Sequence, residues 1–197
     1  NTNDPILSDI RIRQAITFGI DRDEIALALD GFITPCFTYM SPSVTSYSPE
    51  KEQEIAIKWA INKEKATNLL EEAGWIDKDG DGIREKDGEK LTLEMLTAMD
   101  ISAIKLAAPI IQKQLKGIGI DLQIRELEHA YVKSNAREGK FQLATRKVNW
   151  ADPMHVFSFT TSSDYYANEE LDKLIDDAMY ISNLDKRMKS FELVTDA

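Results

Sequence analysis

The chain has 197 residues, 43% hydrophobic and 29% charged, which is the composition of a globular protein with a sizeable core. Its formal net charge of -10 argues against a nucleic-acid partner, because phosphate binding requires a concentrated basic surface. The single cysteine, Cys36, excludes an internal disulfide framework and a cysteine-based metal site.

The first part of the chain predicts two short helices followed by a loop. Asp9 caps the first helix, whose apolar residues recur three and four positions apart up to Ile20. Asp21 caps the second, which has acidic residues in its first turn and ends at Gly31. Residues 32–57 contain three prolines and several serines and threonines. We therefore expect a long ordered loop there rather than a regular element.

A third helix and two turns come next. Asn62 caps this helix, and Gly74 ends it. The acidic segment 77–82 and the segment 86–88 are rich in Asp and Gly, which is typical of turns.

Three strands alternate with two helices in the middle of the sequence. Asp100 is expected to cap the first of these helices, which Pro109 should kink, and residues 129–138 form the second. Two consecutive βαβ units predict an α/β fold with a parallel-rich sheet, right-handed crossovers and flanking helices. The predicted strands cover residues 91–97, 118–124 and 141–148.

Two more helices, capped by Asn168 and Asp185, are predicted at the end of the chain. The last helical pattern has no stop signal, so we expect an excised piece of a longer protein. The start lacks the pattern of a signal peptide. No apolar run reaches the roughly 18 residues that a membrane-spanning helix needs.

The predicted sheet suggests where a ligand would bind, because ligands of open parallel sheets gather at the carboxyl ends of the strands. Trp150 offers an apolar plate with a hydrogen-bond donor, and Asp152 offers a carboxylate for a cationic group. The alternative is a tryptophan packed on the core and an aspartate that shapes an Asp-Pro turn. The candidate ligand residues at the three strand ends are Thr97, Met99, His129, Trp150 and Asp152.

The acidic turn is a candidate cation site. Asp77, Asp79 and Asp81 match the first half of a calcium loop, since alternate carboxylates can surround a hard cation. Glu85 stands at the ninth position, but Gly88 occupies the twelfth, where such a loop has a bidentate glutamate. The alternative, which we favour, is a plain acidic turn that leads into the sheet without a metal.

Catalytic motifs are absent from the sequence. It contains no Gly-x-Ser-x-Gly elbow, phosphate-binding loop, dinucleotide-binding glycine motif or His-Glu-x-x-His. His129 and His155 have no histidine or cysteine neighbours at metal-ligand spacing and are expected to be surface or packing residues if they bind nothing. We expect a protein without a cofactor that is not an enzyme. An α/β enzyme domain with an unrecognised mechanism and a calcium-stabilised interaction module remain as alternatives.

Several blocks of sequence together carry a family resemblance. The signature segment of the peptide/nickel-type (family 5) solute-binding proteins of ABC transporters is similar to Asp9-Ile-Arg-Ile-Arg-Gln-Ala-Ile16 followed by Gly19-Ile-Asp-Arg22. Four further blocks resemble the same family in the same order and extend over nearly the whole chain. They cover residues 65–75, 77–83, 118–122 and 168–175.

The resemblance implies a bilobal protein that closes on its ligand and then docks on a membrane permease. Residues 1–197 would form most of the C-terminal lobe. The protein would be a monomer outside the cytoplasm, either periplasmic or lipid-anchored, and would bind oligopeptide- or dipeptide-like solutes. Other members bind nickel chelates, sugars or other small solutes.

The resemblance also implies a role for one pair of residues. In peptide-binding members, an aspartate that follows a tryptophan after the third strand pairs with the α-amino group of the ligand. Trp150 and Asp152 match this pattern in type and place. One residue separates them here, whereas the commoner arrangement has two.

Overall fold

The computed structural model describes residues 1–44, 47–147 and 169–196. They belong to two compact units. The first consists of Asn1–Pro35 with Ala60–Arg146, and the second of Cys36–Trp59 with Lys147–Ala197. No helix in the described ranges is both long and apolar enough to cross a membrane.

Four of the described helices precede the first strand, and strands and helices alternate only in the middle of the chain. The helices are α1 (Ile10–Gly19), α2 (Arg22–Ala28), α3 (Pro49–Lys58), α4 (Lys63–Glu72), α5 (Ser102–Lys116), α6 (His129–Arg137), α7 (Glu169–Met179) and α8 (Leu184–Asp196). The strands are β1 (Glu85–Lys86), β2 (Glu89–Lys90), β3 (Thr92–Ala98), β4 (Asp121–Leu127) and β5 (Leu143–Ala144).

Three of the predicted helix caps are confirmed. Asp9 accepts a hydrogen bond from Arg11 N–H at 2.9 Å, and Asp21 accepts one from Glu24 N–H at 2.9 Å. Asn62 accepts one from Lys65 N–H at 2.8 Å. Each side chain thereby satisfies an N–H group that has no partner within its helix.

The parallel sheet of the first unit confirms the predicted α/β fold. Strand β3 is central, in the order β4-β3-β5. It pairs in parallel with β4 along its whole length, from Thr92↔Asp121 to Ala98↔Leu127. Strand β5 is much shorter than the predicted 141–148, and it pairs only through Met95↔Leu143 and Leu96↔Ala144.

The core of the first unit lies on both faces of β3. Leu96 and Ala98 pack with Val132 of α6 on one face. Leu93, Met95 and Thr97 alternate with them and are buried as well. Burial of both faces explains why the predicted strand reads as a nearly continuous apolar run.

Arg84, a residue that the sequence did not single out, connects three parts of the first unit. Its side chain is 11% exposed and donates to the Ile118 carbonyl at 3.0 Å and the Trp75 carbonyl at 2.9 Å. It also pairs with Glu71 at 3.2 Å. Gly119 packs so closely that an added Cβ would lie 2.6 Å from Arg84 Cγ, and its φ of +91° suits glycine. The guanidinium therefore joins the end of α4 to the turn before β4.

The prediction of a long loop at 32–57 is wrong for its last part, because α3 forms there. Ser48 accepts a hydrogen bond from Lys51 N–H at 3.3 Å, and Pro49 occupies the first helical turn. Proline is favoured there because its missing N–H would have no helical partner in any case. Pro49 therefore starts a helix, whereas the sequence interpretation treated it as a breaker.

Two other predicted caps are wrong. Asp100 does not cap α5, whose N-cap position is Ile101 and has no side-chain cap. Helix α8 begins one residue before Asp185, and Asn183 caps it by accepting from Lys186 N–H at 3.0 Å. Asn168 lies outside the described residues. Helix α5 continues through Pro109.

The second unit is organised around Glu52 of α3. Its carboxylate accepts hydrogen bonds from Phe37 N–H at 2.6 Å, Thr38 N–H at 3.1 Å and the Thr38 hydroxyl at 2.7 Å. Burial by itself raises the pKa of Glu52, but these hydrogen bonds outweigh it and hold the pKa below its ordinary value. The Cys36 thiol also donates to Glu52, at 3.4 Å, and burial raises the pKa of this thiol. Met40, Val44, Ile175, Ala178 and Phe191 form the apolar core of this unit.

Replacing Arg84 with methionine is expected to lower the free energy of unfolding by about 3 kcal/mol, because two buried carbonyl groups lose their donor. Urea titration of the purified chain measures the loss. Arg125→Met is the matched control, since Arg125 forms an exposed pair with Glu94 at 3.7 Å and should change stability by less than about 0.5 kcal/mol. Equal effects of the two substitutions would contradict the role given to Arg84.

Glu52→Gln should destabilise the second unit by about 1–2 kcal/mol at neutral pH, because charge-assisted hydrogen bonds are lost. The folded pKa of Glu52 is lowered, so the wild-type advantage is complete above the unfolded pKa of about 4.3 and disappears as the pH falls through the folded pKa. Urea titrations at several pH values should show the two proteins converge in acid. Glu54→Gln, an exposed change on the same helix, should show no such pH dependence.

Candidate functional site

The carboxyl ends of β3 and β4 form one continuous edge of the sheet. Met99 N–H, just beyond β3, donates to the Leu127 carbonyl at 2.9 Å. The next residue, Asp100, accepts a hydrogen bond from His129 N–H at 2.9 Å. Helix α6 starts at His129, so its first turn is attached to the end of the central strand.

The three predicted ligand residues within the described ranges lie at this edge but differ in exposure. Met99 is 46% exposed, whereas Thr97 is 1% exposed. His129 is half-buried, and its Nδ1 is a buried atom without a hydrogen-bond partner. The Thr97 hydroxyl is also buried and unpaired. Buried polar atoms without a partner are uncommon in folded proteins, and a functional role is one explanation for them. Direct contact between any of these residues and a solute remains a prediction.

Tyr131 is a further candidate that the sequence interpretation missed. It lies in the first turn of α6, two residues after His129, and is 61% exposed. An exposed aromatic ring with a hydroxyl group can contact an apolar group and hydrogen-bond to a polar one. Its position as the third residue of a helix that follows a strand could have indicated from the sequence that it lies near the strand ends.

Charges of both signs lie at the strand ends. Asp100, Glu126 and Glu128 are exposed at the ends of β3 and β4. Beyond β5 stands Arg146, whose pKa is lowered by burial and by the neighbouring Arg137. An edge with acidic and basic groups suits a solute that carries both charges.

Trp150 and Asp152 lie outside the described residues, as does His155. Their positions at the third strand end therefore remain predictions.

The acidic turn brings together a different set of carboxylates from the predicted one. Asp77, Asp79 and Glu85 each place an oxygen atom within 4.8 Å of the others. Asp81 instead pairs with the Lys90 ammonium group. Asp77 accepts hydrogen bonds from Gly80 N–H at 2.8 Å and Gly82 N–H at 3.0 Å. These internal partners are those of an acidic turn.

Comparison with known proteins identifies relatives over most of the chain. Residues 1–169 match the family model described as bacterial extracellular solute-binding proteins, family 5 middle. The oligopeptide-binding protein AppA of Bacillus subtilis is 29% identical over 98% of this chain and 37% of its own length. The nickel-binding periplasmic protein of Escherichia coli is 27% identical over 82% of this chain and 30% of its own length.

Solved structures agree in fold. AppA of Bacillus subtilis, solved in complex with a nonapeptide, superposes with a TM-score of 0.81 at 27% identity. NikA of Brucella suis, solved with Fe(III)-EDTA, superposes with a TM-score of 0.80 at 25% identity. Each covers 99% of this chain, which in turn covers 40% of the AppA chain and 41% of the NikA chain.

The chain thus spans well under half the length of these relatives, which are solute-binding proteins. The family model nevertheless matches residues 1–169, far more than half of the chain. The chain belongs to the bacterial extracellular solute-binding proteins of family 5.

Proposed function

We propose that this chain is part of the substrate-binding component of an ABC importer for oligopeptide- or dipeptide-like solutes. The match of residues 1–169 to the family model is the observation that carries the proposal. The component would bind its solute outside the cytoplasmic membrane and deliver it to the permease.

The peptide class is supported by relatives and by the chemistry of the sheet edge. AppA and the dipeptide-binding protein DppE of Bacillus subtilis, 27% identical over 90% of this chain, are named for peptides. A peptide carries both charges and apolar side chains. The edge offers acidic groups near His129, an arginine beyond β5, and the exposed side chains of Met99 and Tyr131. These groups complement a peptide in charge and in polarity.

Residues 1–197 would form most of the C-terminal lobe of a bilobal protein. The chain spans 37% of AppA, a share that fits one part of a longer protein. The protein would be a monomer and would not bind nucleic acid, in keeping with its net charge of -10. It would lie in the periplasm or be held by a lipid anchor at the outer face of the cytoplasmic membrane.

The match to a family of solute-binding proteins favours binding over catalysis, and the described part of the sheet edge is compatible with this. Among its described residues, no hydroxyl or thiol group donates a hydrogen bond to His129 or to a carboxylate. An activated nucleophile requires such a base within reach. The Thr97 hydroxyl, next to the last residue of β3, has no hydrogen-bond partner.

The complete protein is expected to gain about 5 °C in Tm with a saturating peptide, because a ligand that binds only the folded state stabilises it. Alanine peptides from the dipeptide to the nonapeptide, a nickel–histidine chelate and maltotriose form a suitable panel. A shift with the chelate or the sugar alone would replace the peptide assignment. No shift with any of the three classes would count against the proposed role.

Asp152→Asn in the complete protein should weaken binding of a peptide with a free amino terminus by about tenfold to a hundredfold, since a charge-assisted hydrogen bond is lost. The same peptide with an acetylated amino terminus should bind both proteins equally, as measured by titration calorimetry. Asp23→Asn, an exposed change on α2, is the matched control. An equal loss for both peptides would remove Asp152 from the amino-group site.

A further inference from the structure

We propose that Asp100 is a positioning residue for the solute-binding edge, which it serves by holding the first turn of α6 against the end of β3. The inference rests on the proposed function and names a residue that neither the family resemblance nor the strand-end rule assigned to this task.

The geometry shows a helix cap that comes from a distant part of the chain. Asp100 Oδ1 accepts a hydrogen bond from His129 N–H at 2.9 Å, although the two residues are 29 positions apart in sequence. Glu128, at the N-cap position of α6, makes no capping hydrogen bond with its own side chain. The start of α6 therefore receives its side-chain acceptor from the loop after β3. An uncapped helix end leaves N–H groups unpaired and frays more readily.

A second contact lies directly beside the first. Met99 N–H donates to the Leu127 carbonyl at 2.9 Å, and that bond extends the ladder between β3 and β4 by one residue. Met99 and Asp100 thus attach the same loop at two consecutive points. Without Asp100, the loop would keep the contact to the strand but would lose the contact to the helix.

The turn that Asp100 holds carries two of the candidate solute contacts. His129, with its unpaired Nδ1, and the exposed Tyr131 both belong to it. If the turn were loose in the free protein, binding would have to order both side chains, and the affinity would fall accordingly. The capping bond therefore prepares the edge for the solute before the solute arrives.

Conservative and non-conservative substitutions separate this role from direct charge recognition. Asp100→Asn keeps an oxygen acceptor for His129 N–H but removes the charge, and Asp100→Ala removes both. The matched control is Asp21→Ala, because Asp21 caps α2 through Glu24 N–H at the same distance of 2.9 Å. Gln114, in the last turn of α5, bonds to Asp21. The two ends of α5 are about 20 Å apart, and Asp100 lies near the other end, so the control substitution is far from the proposed site.

The variants are tested in the complete protein by titration calorimetry with tetra-alanine and, in parallel, with the nickel–histidine chelate. Hydrogen exchange over residues 129–137, followed by mass spectrometry, reports directly on the capping bond. Asp100→Ala should speed this exchange and weaken binding by about fivefold to tenfold. Asp100→Asn should stay within about twofold of the wild type in both measurements. Asp21→Ala should lower Tm without changing affinity.

Three outcomes would overturn the proposal. An Asn variant that binds as weakly as the Ala variant would show that the charge itself contacts the solute. An Ala variant with fast exchange but unchanged affinity would show that the cap has no bearing on binding. Unchanged exchange in both Asp100 variants would show that the bond does not order the turn. If the wild type binds neither probe, the proposed function fails separately, and the exchange measurement still decides whether Asp100 holds the turn.

Discussion

The buried guanidinium of Arg84 is the constraint on which the first unit depends. A guanidinium that is so deeply buried requires hydrogen-bond partners, and each of its three nitrogen atoms donates to one: the Ile118 carbonyl, the Trp75 carbonyl and Glu71. Because those partners come from the end of α4 and the turn before β4, one side chain fixes where β4 enters the sheet. The Arg84 backbone adds bonds to Gly119 and Leu91 at 2.9 and 2.7 Å. These two backbone bonds bring the residues before β3 and before β4 together.

The features that make the sequence recognisable as a family member serve the scaffold. Asp9 and Asp21 cap helices, and Gly19 packs so tightly that an added Cβ would lie 2.6 Å from Ile118 Cδ1. Ile118 belongs to another of the family-like blocks, so two blocks distant in sequence meet in the core. The described residues proposed to contact the solute lie instead at the end of β3, in the loop after it and in the first turn of α6. Loops tolerate change while the scaffold holds their ends in place, which fits a family whose named members bind peptides and nickel.

The predictions that proved correct depend on contacts between residues close in sequence, and several that proved wrong depend on contacts between distant residues. Asp9, Asp21 and Asn62 cap the helices that they precede, so sequence order was enough. Pro49 was misjudged because proline ends a helix from within but starts one in its first turn. Asp100 precedes α5 in sequence, but its side chain accepts a hydrogen bond from the first residue of α6 instead. Of the described residues in the predicted third strand, only Leu143 and Ala144 pair with β3, so β5 is short. The alternation of apolar side chains in the sequence does not show how many residues pair. Of the candidate site, the edge and three residues were predicted, but the exposure of Tyr131 was not.

By itself, the sequence determined the order of most helices and strands, the parallel sheet that they imply and the family to which the chain belongs. These features depend on the spacing of apolar residues and on caps only a few positions away, so they can be read along the chain. Only the tertiary structure decided that Arg84 is buried, that Asp100 caps α6 and that Asp81 turns to Lys90. In each case a residue outside the helices and strands bonds to a group elsewhere in the chain. A side chain bonds to the partner that the packed core brings within hydrogen-bond distance. The spacing of residues along the sequence does not show which partner that is.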